Sequence, residues 1–400
     1  MFKFFEAKKV PKIIPYGRQT VTNADIKSVK KVLQSDYLTQ GPMVEKFEKF
    51  FSSKTSSKFS LTINSATSGL HLACLALGLK KGDYLWTSPI SFVASANCGL
   101  YCGANIDFVD IEPSTGLISI DELKLKLEKA EKEGKLPKII IPVHLAGVSC
   151  DMKSIKTLSE KYKFSIIEDA SHAIGGKYEN LSVGSCKYSS ICVFSLHPVK
   201  IITSGEGGIV NTNDQKLYEK MKKLRSHGIE KNKNNFVGKN FDPWIYEQQS
   251  LGFNYRLTDI QCALAYSQLK RLDQIVITRN DLLNKYRVIL ENLPVTLLEI
   301  PKEVRSSVHL AIIRLNSKDP LLHKNIFQYL KDKRIGVQLH YSPIHLQPFY
   351  RKLGFDLGDF PNAEFYAKNS ITIPLYPGLK IKEQNYIVKT LKEYFFNSGK

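Results

Sequence analysis

Strand-like and helix-like patterns alternate along residues 22–225, and this alternation limits the fold more than any other feature of the chain. Short apolar runs at Tyr84–Thr87, Ile106–Val109, Ile139–Val143, Ser165–Asp169, Ser190–Ser195 and Gly208–Asn211 read as buried strands. Helical periodicity lies between and around them, at Thr22–Leu33 (opened by a capping box), Ser65–Leu79, Ser91–Cys102, Asp121–Glu131, Met152–Tyr162 and Asp214–Arg225. Such alternation predicts an α/β fold with a large, mixed but mostly parallel sheet covered by helices on both faces. Ligands of such sheets bind beyond the carboxyl ends of the strands.

The second half reads differently. Residues 228–250 are polar and irregular, and a long irregular loop inside a compact chain is usually functional or mobile. A single long helix is expected from Thr258 to about Leu290. It would link a large domain, residues 1–257, to a small C-terminal α+β domain, residues 258–400. In the small domain His309–Leu315 and Gly336–Tyr341 read as strands, and Pro320–Arg334 and Ile381–Phe396 as helices. The length of 400 residues suits two such domains.

Several function classes are disfavoured. No apolar run approaches the ~20 residues of a membrane span. The Met1–Glu6 start is too short for a signal peptide, which points to a cytoplasmic location with no membrane partner. Seven cysteines without a Cys-x-x-Cys pair read as reduced, mostly buried thiols. The formal charge is +19, but the lysines are spread out and not interleaved with aromatics, so nucleic acid is not an expected partner. A basic field would still favour anionic ligands.

Three local clusters fall where strands end. Asn64-Ser65-Ala66-Thr67-Ser68-Gly69 leads small hydroxyl residues into a helix, whose free N–H groups suit an anion or simply an ordinary cap. In Glu168-Asp169-Ala170-Ser171-His172, Asp169 ends an apolar strand, where it can pair with a protonated ring nitrogen or cap the next turn. In Ser195-Leu196-His197-Pro198-Val199-Lys200, a lysine follows a buried strand and precedes Gly205-Glu206-Gly207-Gly208. A surface lysine would mean nothing, but a buried one becomes nucleophile and base as its pKa falls from about 10.4. The glycines match neither the Walker nor the dinucleotide pattern. Together the clusters supply a phosphate site, an acid for a pyridine nitrogen and an imine-forming lysine, the parts that pyridoxal 5′-phosphate requires.

The run Ser195-x-His197-x-x-Lys200-x-x-Thr203-x-Gly205-Glu206-Gly207-Gly208 resembles the lysine motif of the DegT/StrS sugar aminotransferases, and the resemblance extends from about Ile13 to Tyr394. It implies the fold-type-I (aspartate aminotransferase-like) architecture and pyridoxal 5′-phosphate as cofactor. It further implies that Lys200 is the catalytic lysine, that Asp169 partners the ring nitrogen and that His172 contacts the ring hydroxyl. Ala66, Thr67 and Ser195 match phosphate donors, Phe92 the aromatic stacked on the pyridine, and Asn254 an asparagine that reaches the phosphate of a neighbouring subunit. A homodimer with shared active sites follows from that match. Leu38-Thr39-Gln40-Gly41, Ser88–Ala94, Ser171-His172-Ala173 and Arg225-Ser226-His227-Gly228 resemble the pseudaminic acid branch of the family. That branch implies a UDP-linked 4-keto-6-deoxy N-acetylhexosamine as substrate and L-glutamate as amino donor, with Tyr16, Thr39, Gln40 and Tyr341 as sugar contacts. Leu196, where an aromatic is common, and the long 231–248 loop depart from the pattern. GDP- or dTDP-linked amino sugars are the alternative substrates.

Other readings fit less well. Dehydratases of the same fold replace the lysine by histidine, and His197 is out of that register. A non-catalytic relative would be expected to lose Asp169 or Lys200. No metal is expected at His340-Tyr341-Ser342-Pro343-Ile344-His345, which reads as a loop near the substrate. His309, opening an apolar strand, reads as a satisfied structural histidine.

Overall fold

The computed structural model describes residues 13–238, 242–317, 319 and 321–397. The Met1–Glu6 start and Pro320 of the expected helix lie outside them. Chain order in the large layer begins with α1 (Asn23–Leu33), α2 (Pro42–Thr55), β1 (Phe59–Ile63), α3 (Ala66–Ala76), β2 (Tyr84–Thr87), α4 (Ala94–Tyr101) and β3 (Asn105–Phe108). It continues with α5 (Ile120–Glu133), β4 (Ile139–Ile141), α6 (Met152–Tyr162), β5 (Ser165–Asp169), β6 (Ile191–Ser195), β7 (Gly208–Thr212) and α7 (Gln215–Arg225). The strands form one seven-stranded sheet in the order β1-β7-β6-β5-β4-β2-β3. Only β7 runs against its neighbours; the other pairs from β6 to β3 are parallel. Ile139–Ile141, Ile191–Phe194 and Ile209–Val210 are buried, as strands covered on both faces must be.

The predicted strands and helices of this half are present, with ends displaced by a few residues. Two elements had no counterpart in the sequence reading, α2 and β1. The α2 helix buries Phe47 and Phe51 against Phe194 and Leu257, and Pro42 at its start suits a helix N-terminus.

Then come α8 (Asp259–Leu269), α9 (Leu272–Leu290), β8 (Val295–Leu297), β9 (Ala311–Leu315), α10 (Leu322–Asp332), α11 (Pro348–Arg351), α12 (Pro361–Asn369), β10 (Ser370–Ile373) and α13 (Ile381–Asn397). The expected single helix from Thr258 is therefore two. It breaks at Arg271 (φ −112°, ψ 17°), whose guanidinium is held by the Asp25 carboxylate. Cys262, Ala265 and Leu269 of α8 join the core of α2 and β6, whereas Leu283, Tyr286 and Leu290 of α9 join that of the small sheet β8-β9-β10. The expected strand Gly336–Tyr341 is also corrected. Among the described residues this segment shares one bridge, Gln338 with Thr372, because the Gly336 N–H donates to Ile14 O, the Leu339 N–H to Gln338 Oε1, and His340 O accepts from Tyr366 Oη. The 228–250 stretch carries a short ribbon, Ile229–Glu230 with Glu247–Gln248. Among the described residues no helix is long and apolar enough to cross a membrane. The seven cysteines are free thiols, six buried and Cys102 half-buried.

Candidate active site

A cleft of about 800 Å³ lies beyond the carboxyl ends of β5 and β6, between the sheet and residues 338–342 of the small layer. Its walls bring together Ala66, Thr67, Phe92, Asp169, His172, Ser195, Lys200, Tyr16 and Tyr341, nine of the residues singled out in the sequence.

The first wall is the start of α3. Ser65 caps it, its Oγ accepting from the Ser68 N–H at 3.1 Å, and Ser68 Oγ donates to Asn64 Oδ1 at 2.7 Å. The N–H groups of Ala66 and Thr67 in the first turn have no acceptor among the described residues and lie at the cleft. The approach of α3 to the strands depends on Gly208, where a Cβ would fall 2.8 Å from Ala66 N and 2.8 Å from Phe194 O. Ser195 Oγ accepts from the His197 N–H at 3.4 Å, which leaves its own hydrogen for a ligand.

The second wall is the end of β5. Alternation along the strand sends Glu168 and Asp169 to opposite faces. Glu168 bonds His144 Nε2 at 2.8 Å, away from the cleft. Asp169 faces the cleft and is buried. Its Oδ2 accepts from Ser95 Oγ at 2.6 Å, and its Oδ1 accepts from the Ser171 N–H at 3.1 Å. Ser91 Oγ lies 2.8 Å from Ser95 Oγ and completes the chain. The sequence reading gave Ser95 no role; the Ser91/Ser95 spacing of four at a helix start was the available signal.

Lys200 sits on the loop between β6 and β7. Thr203 pins that loop: its Oγ1 donates to Leu196 O at 2.8 Å and accepts from the Gly205 N–H at 2.9 Å, while its own N–H donates to Gln268 Oε1 of α8 at 3.1 Å. Lys200 is half-buried, and what it exposes opens into the cleft. That partial desolvation pushes its pKa down to about 8, with the Asp169 charge opposing the shift. A tenth or so of the amine is then free at neutral pH, far more than for an ordinary lysine.

Histidines crowd the same space. His172 is held well below the usual imidazole range by burial first, then by Lys200 and His340, so it is neutral. Burial and Lys200 push His340 to about 3. His309 is corrected. It is not a satisfied structural histidine, because its Nδ1 is buried without a partner among the described residues and its ring packs, tilted, 4.4 Å from His172 in the cleft wall. Of the pair His340/His345 only His340 reaches the cleft; His345 is buried against Glu364 at 3.1 Å. No group of three or more metal-ligating side chains occurs among the described residues.

Three expected site residues lie outside this cleft. Thr39 and Gln40 are exposed on the turn before α2, where Thr39 bridges Thr258 and Asp259 accepts from the Gly41 N–H at 2.8 Å. Asn254 is exposed on a loop bridged to Ser226.

The family model described as DegT/DnrJ/EryC1/StrS aminotransferase matches residues 19–392. A Campylobacter jejuni UDP-4-amino-4,6-dideoxy-N-acetyl-beta-L-altrosamine transaminase is 36% identical over 95% of this chain and 96% of its own. The Bacillus subtilis spore coat polysaccharide biosynthesis protein SpsC is 32% identical over 95% and 96%. Among solved structures, Helicobacter pylori PseC, an aminotransferase of pseudoaminic acid biosynthesis, superposes with a TM-score of 0.89 at 33% identity, covering 96% of this chain and 100% of that one. A Streptococcus pneumoniae chain solved in its PLP form superposes with a TM-score of 0.87 at 27% identity, covering 96% and 99%. The cleft fits that cofactor: unpartnered N–H groups for a phosphate, a fixed carboxylate for a ring nitrogen and a lysine of lowered pKa for a carbonyl carbon all face one space.

Proposed function

The chain belongs to the DegT/DnrJ/EryC1/StrS aminotransferase family, with pyridoxal 5′-phosphate as cofactor, and we propose that it aminates a UDP-linked 4-keto-6-deoxy N-acetylhexosamine with L-glutamate as donor. The observation that carries the chemistry is the pairing of Lys200, desolvated and without a carboxylate partner among the described residues, with the fixed Asp169 carboxylate across one cleft. The substrate class rests on the likeness to the Campylobacter and Helicobacter proteins.

Bound pyridoxal phosphate supplies a carbonyl carbon that takes up and releases the amino group, and a protonated ring that draws electrons from it. The chain's own residues bind, orient and move protons. Ala66, Thr67 and Ser195 line the cleft and would hold the phosphate with N–H and O–H donors. Asp169, aimed by hydrogen bonds from Ser95 Oγ and the Ser171 N–H, would hold the proton on the ring nitrogen. With the cofactor bound, Phe92 would cover the ring face, and His172 would line the cleft beside it with its ring nitrogens taken up by the Ala146 N–H and Tyr341 Oη. With the cofactor bound, the Lys200 amine would be the base of the cleft, holding at Nζ the proton that moves between the carbon of the amino donor and that of the cofactor. Tyr16 and Tyr341 line the same cleft and would face the sugar. Thr39, Gln40 and Asn254, exposed and away from their own cleft, serve the cleft of a second copy in a homodimer.

Borohydride treatment of the holoenzyme is expected to fix the cofactor on the peptide that contains Lys200. Assay of UDP-, GDP- and dTDP-linked 4-keto sugars with glutamate is expected to show fastest amination of the UDP sugar. Label elsewhere removes Lys200 from its role, and preference for a GDP or dTDP sugar replaces the proposed substrate.

A further inference from the structure

Tyr341 and His172 form a hydrogen-bonded pair whose direction is set from outside the cleft. His172 Nε2 lies 3.1 Å from Tyr341 Oη. Either atom could donate in isolation. The other ring nitrogen decides. His172 Nδ1 accepts from the backbone N–H of Ala146 at 3.3 Å, so Nδ1 carries no hydrogen. The single hydrogen of the neutral ring is then on Nε2, which donates to Tyr341 Oη. Tyr341 therefore spends its acceptor capacity on His172, and its own O–H must point elsewhere. No protein acceptor for it is present among the described residues, and the side chain lines the cleft with Lys200.

The backbone at Ala146 is built for this arrangement. Ala146 has φ +57°, a left-handed conformation that residues other than glycine adopt only at a cost. It turns the N–H to His172, while the Ala146 carbonyl accepts from the His309 N–H at 2.8 Å. Next to it, a Cβ at Gly147 would fall 3.0 Å from His172 O and 3.0 Å from His309 N. The His309 ring, 4.4 Å from His172 between centroids, closes the remaining side of the imidazole. The imidazole is thus held on two sides and by one donor.

We propose that Tyr341 is a one-way hydrogen-bond donor to a negatively charged oxygen in the cleft, oriented by the chain Ala146 N–H to His172 Nδ1 and His172 Nε2–H to Tyr341 Oη. The acceptor is an oxygen of the bound cofactor or the developing oxyanion at the keto carbon of the sugar. Burial, with Asp169 adding to it, raises the phenol far above its usual range, so the hydrogen stays on Tyr341. His172 acts as a positioning residue here, and its neutrality keeps it from competing as a cation.

The kinetic arm rests on the proposed sugar amination; the other arms do not. Nitrogen-15 spectra of the full chain, with and without cofactor, are expected to show His172 protonated at Nε2 and bare at Nδ1, assigned by loss of the signals in His172→Gln. Tyr341→Phe is expected to fold with a melting temperature near wild type and to lose about 100-fold in kcat with little change in KM. If the acceptor is a cofactor oxygen, the pH midpoint of the bound cofactor's absorbance also shifts in Tyr341→Phe. If it is the sugar oxyanion, that midpoint stays and kcat alone falls. A hydrogen on Nδ1 overturns the proposal, as does a Tyr341→Phe enzyme with wild-type kcat and wild-type absorbance midpoint. Should Tyr341→Phe fail to fold, the wild-type ring-nitrogen shifts still decide. Should the wild-type protein aminate none of the sugars, the substrate reading falls while the spectra and the absorbance midpoint still judge Tyr341.

Discussion

Lys200 owes its chemistry to where its ammonium is, since lysine in water holds its proton to about pH 10.4. Half-buried in the cleft wall, its pKa is pushed down to about 8 by desolvation, with Asp169 opposing. The sign of the consequence is fixed: only the free amine attacks a carbonyl, so cofactor capture by the cofactor-free chain should speed up as pH rises and level off above about 8. Stopped-flow absorbance from pH 6 to 10 measures it, and a midpoint near that of ordinary lysine would show that the cleft leaves Lys200 solvated. The lysine itself was legible in the sequence, through its place after a buried strand and before glycines. Its neighbours were less so. Ser95, which fixes Asp169 at 2.6 Å, lies 74 residues away in sequence, and His309 looked like any histidine opening a strand. Such contacts come from chain segments that meet only in the fold, and no local pattern announces them.

At the scale of elements, α3 shows how packing sets a binding group in place. Its apolar residues were readable as a helix, and Ser65 as its cap. The close approach of the helix to the sheet was not. At Gly69 a Cβ would overlap Ile63 Cδ1 and fall 2.9 Å from Val193 Cγ1. Gly69→Ala is therefore expected to push α3 off β1 and β6. Overpacking of this kind costs about 1–3 kcal/mol. The N–H groups of Ala66 and Thr67 move with the helix, so cofactor affinity should fall together with the melting temperature. Calorimetric melting and a cofactor titration of the variant check both; lowered stability with unchanged affinity would show that the start of α3 is held independently of Gly69. Elements were missed where the pattern was weak. The β1 strand carries Ser60 and Thr62 among its buried residues, and its polar side chains hid it: Ser60 Oγ donates to Asn211 at 2.7 Å, and Thr62 Oγ1 to Glu48 at 2.8 Å. The helix expected from Thr258 to Leu290 failed for the opposite reason, since its periodicity is nearly continuous and only Arg271, drawn to Asp25, breaks it.

For the whole molecule, the proposed homodimer makes a definite prediction, because Lys200 and Asn254 would then serve a given cleft from different copies. Lys200→Ala and Asn254→Ala should each be impaired alone. Co-expressed at equal levels they should recover about a quarter of wild-type activity, since half the dimers are mixed and one cleft in each is intact. Purification of the mixed species through two different tags tests it, and recovery no greater than the sum of the separate variants would place Asn254 outside any shared site. By itself the sequence determined the α/β class, the sheet strands from Tyr84 to Asn211, the nature of the cofactor and the three clusters proposed to receive it. These follow from local periodicity and short motifs, which a chain writes into neighbouring residues. Tertiary structure alone decided which residues share a cleft. It brought His309, His340 and Tyr341 from the small layer against His172 and left Thr39, Gln40 and Asn254 facing outward. It also gave Tyr341 a direction, through a backbone N–H at Ala146 that no sequence pattern marks. Proton positions depend on contacts between distant segments, and those exist only once the sheet and the small layer have closed on each other.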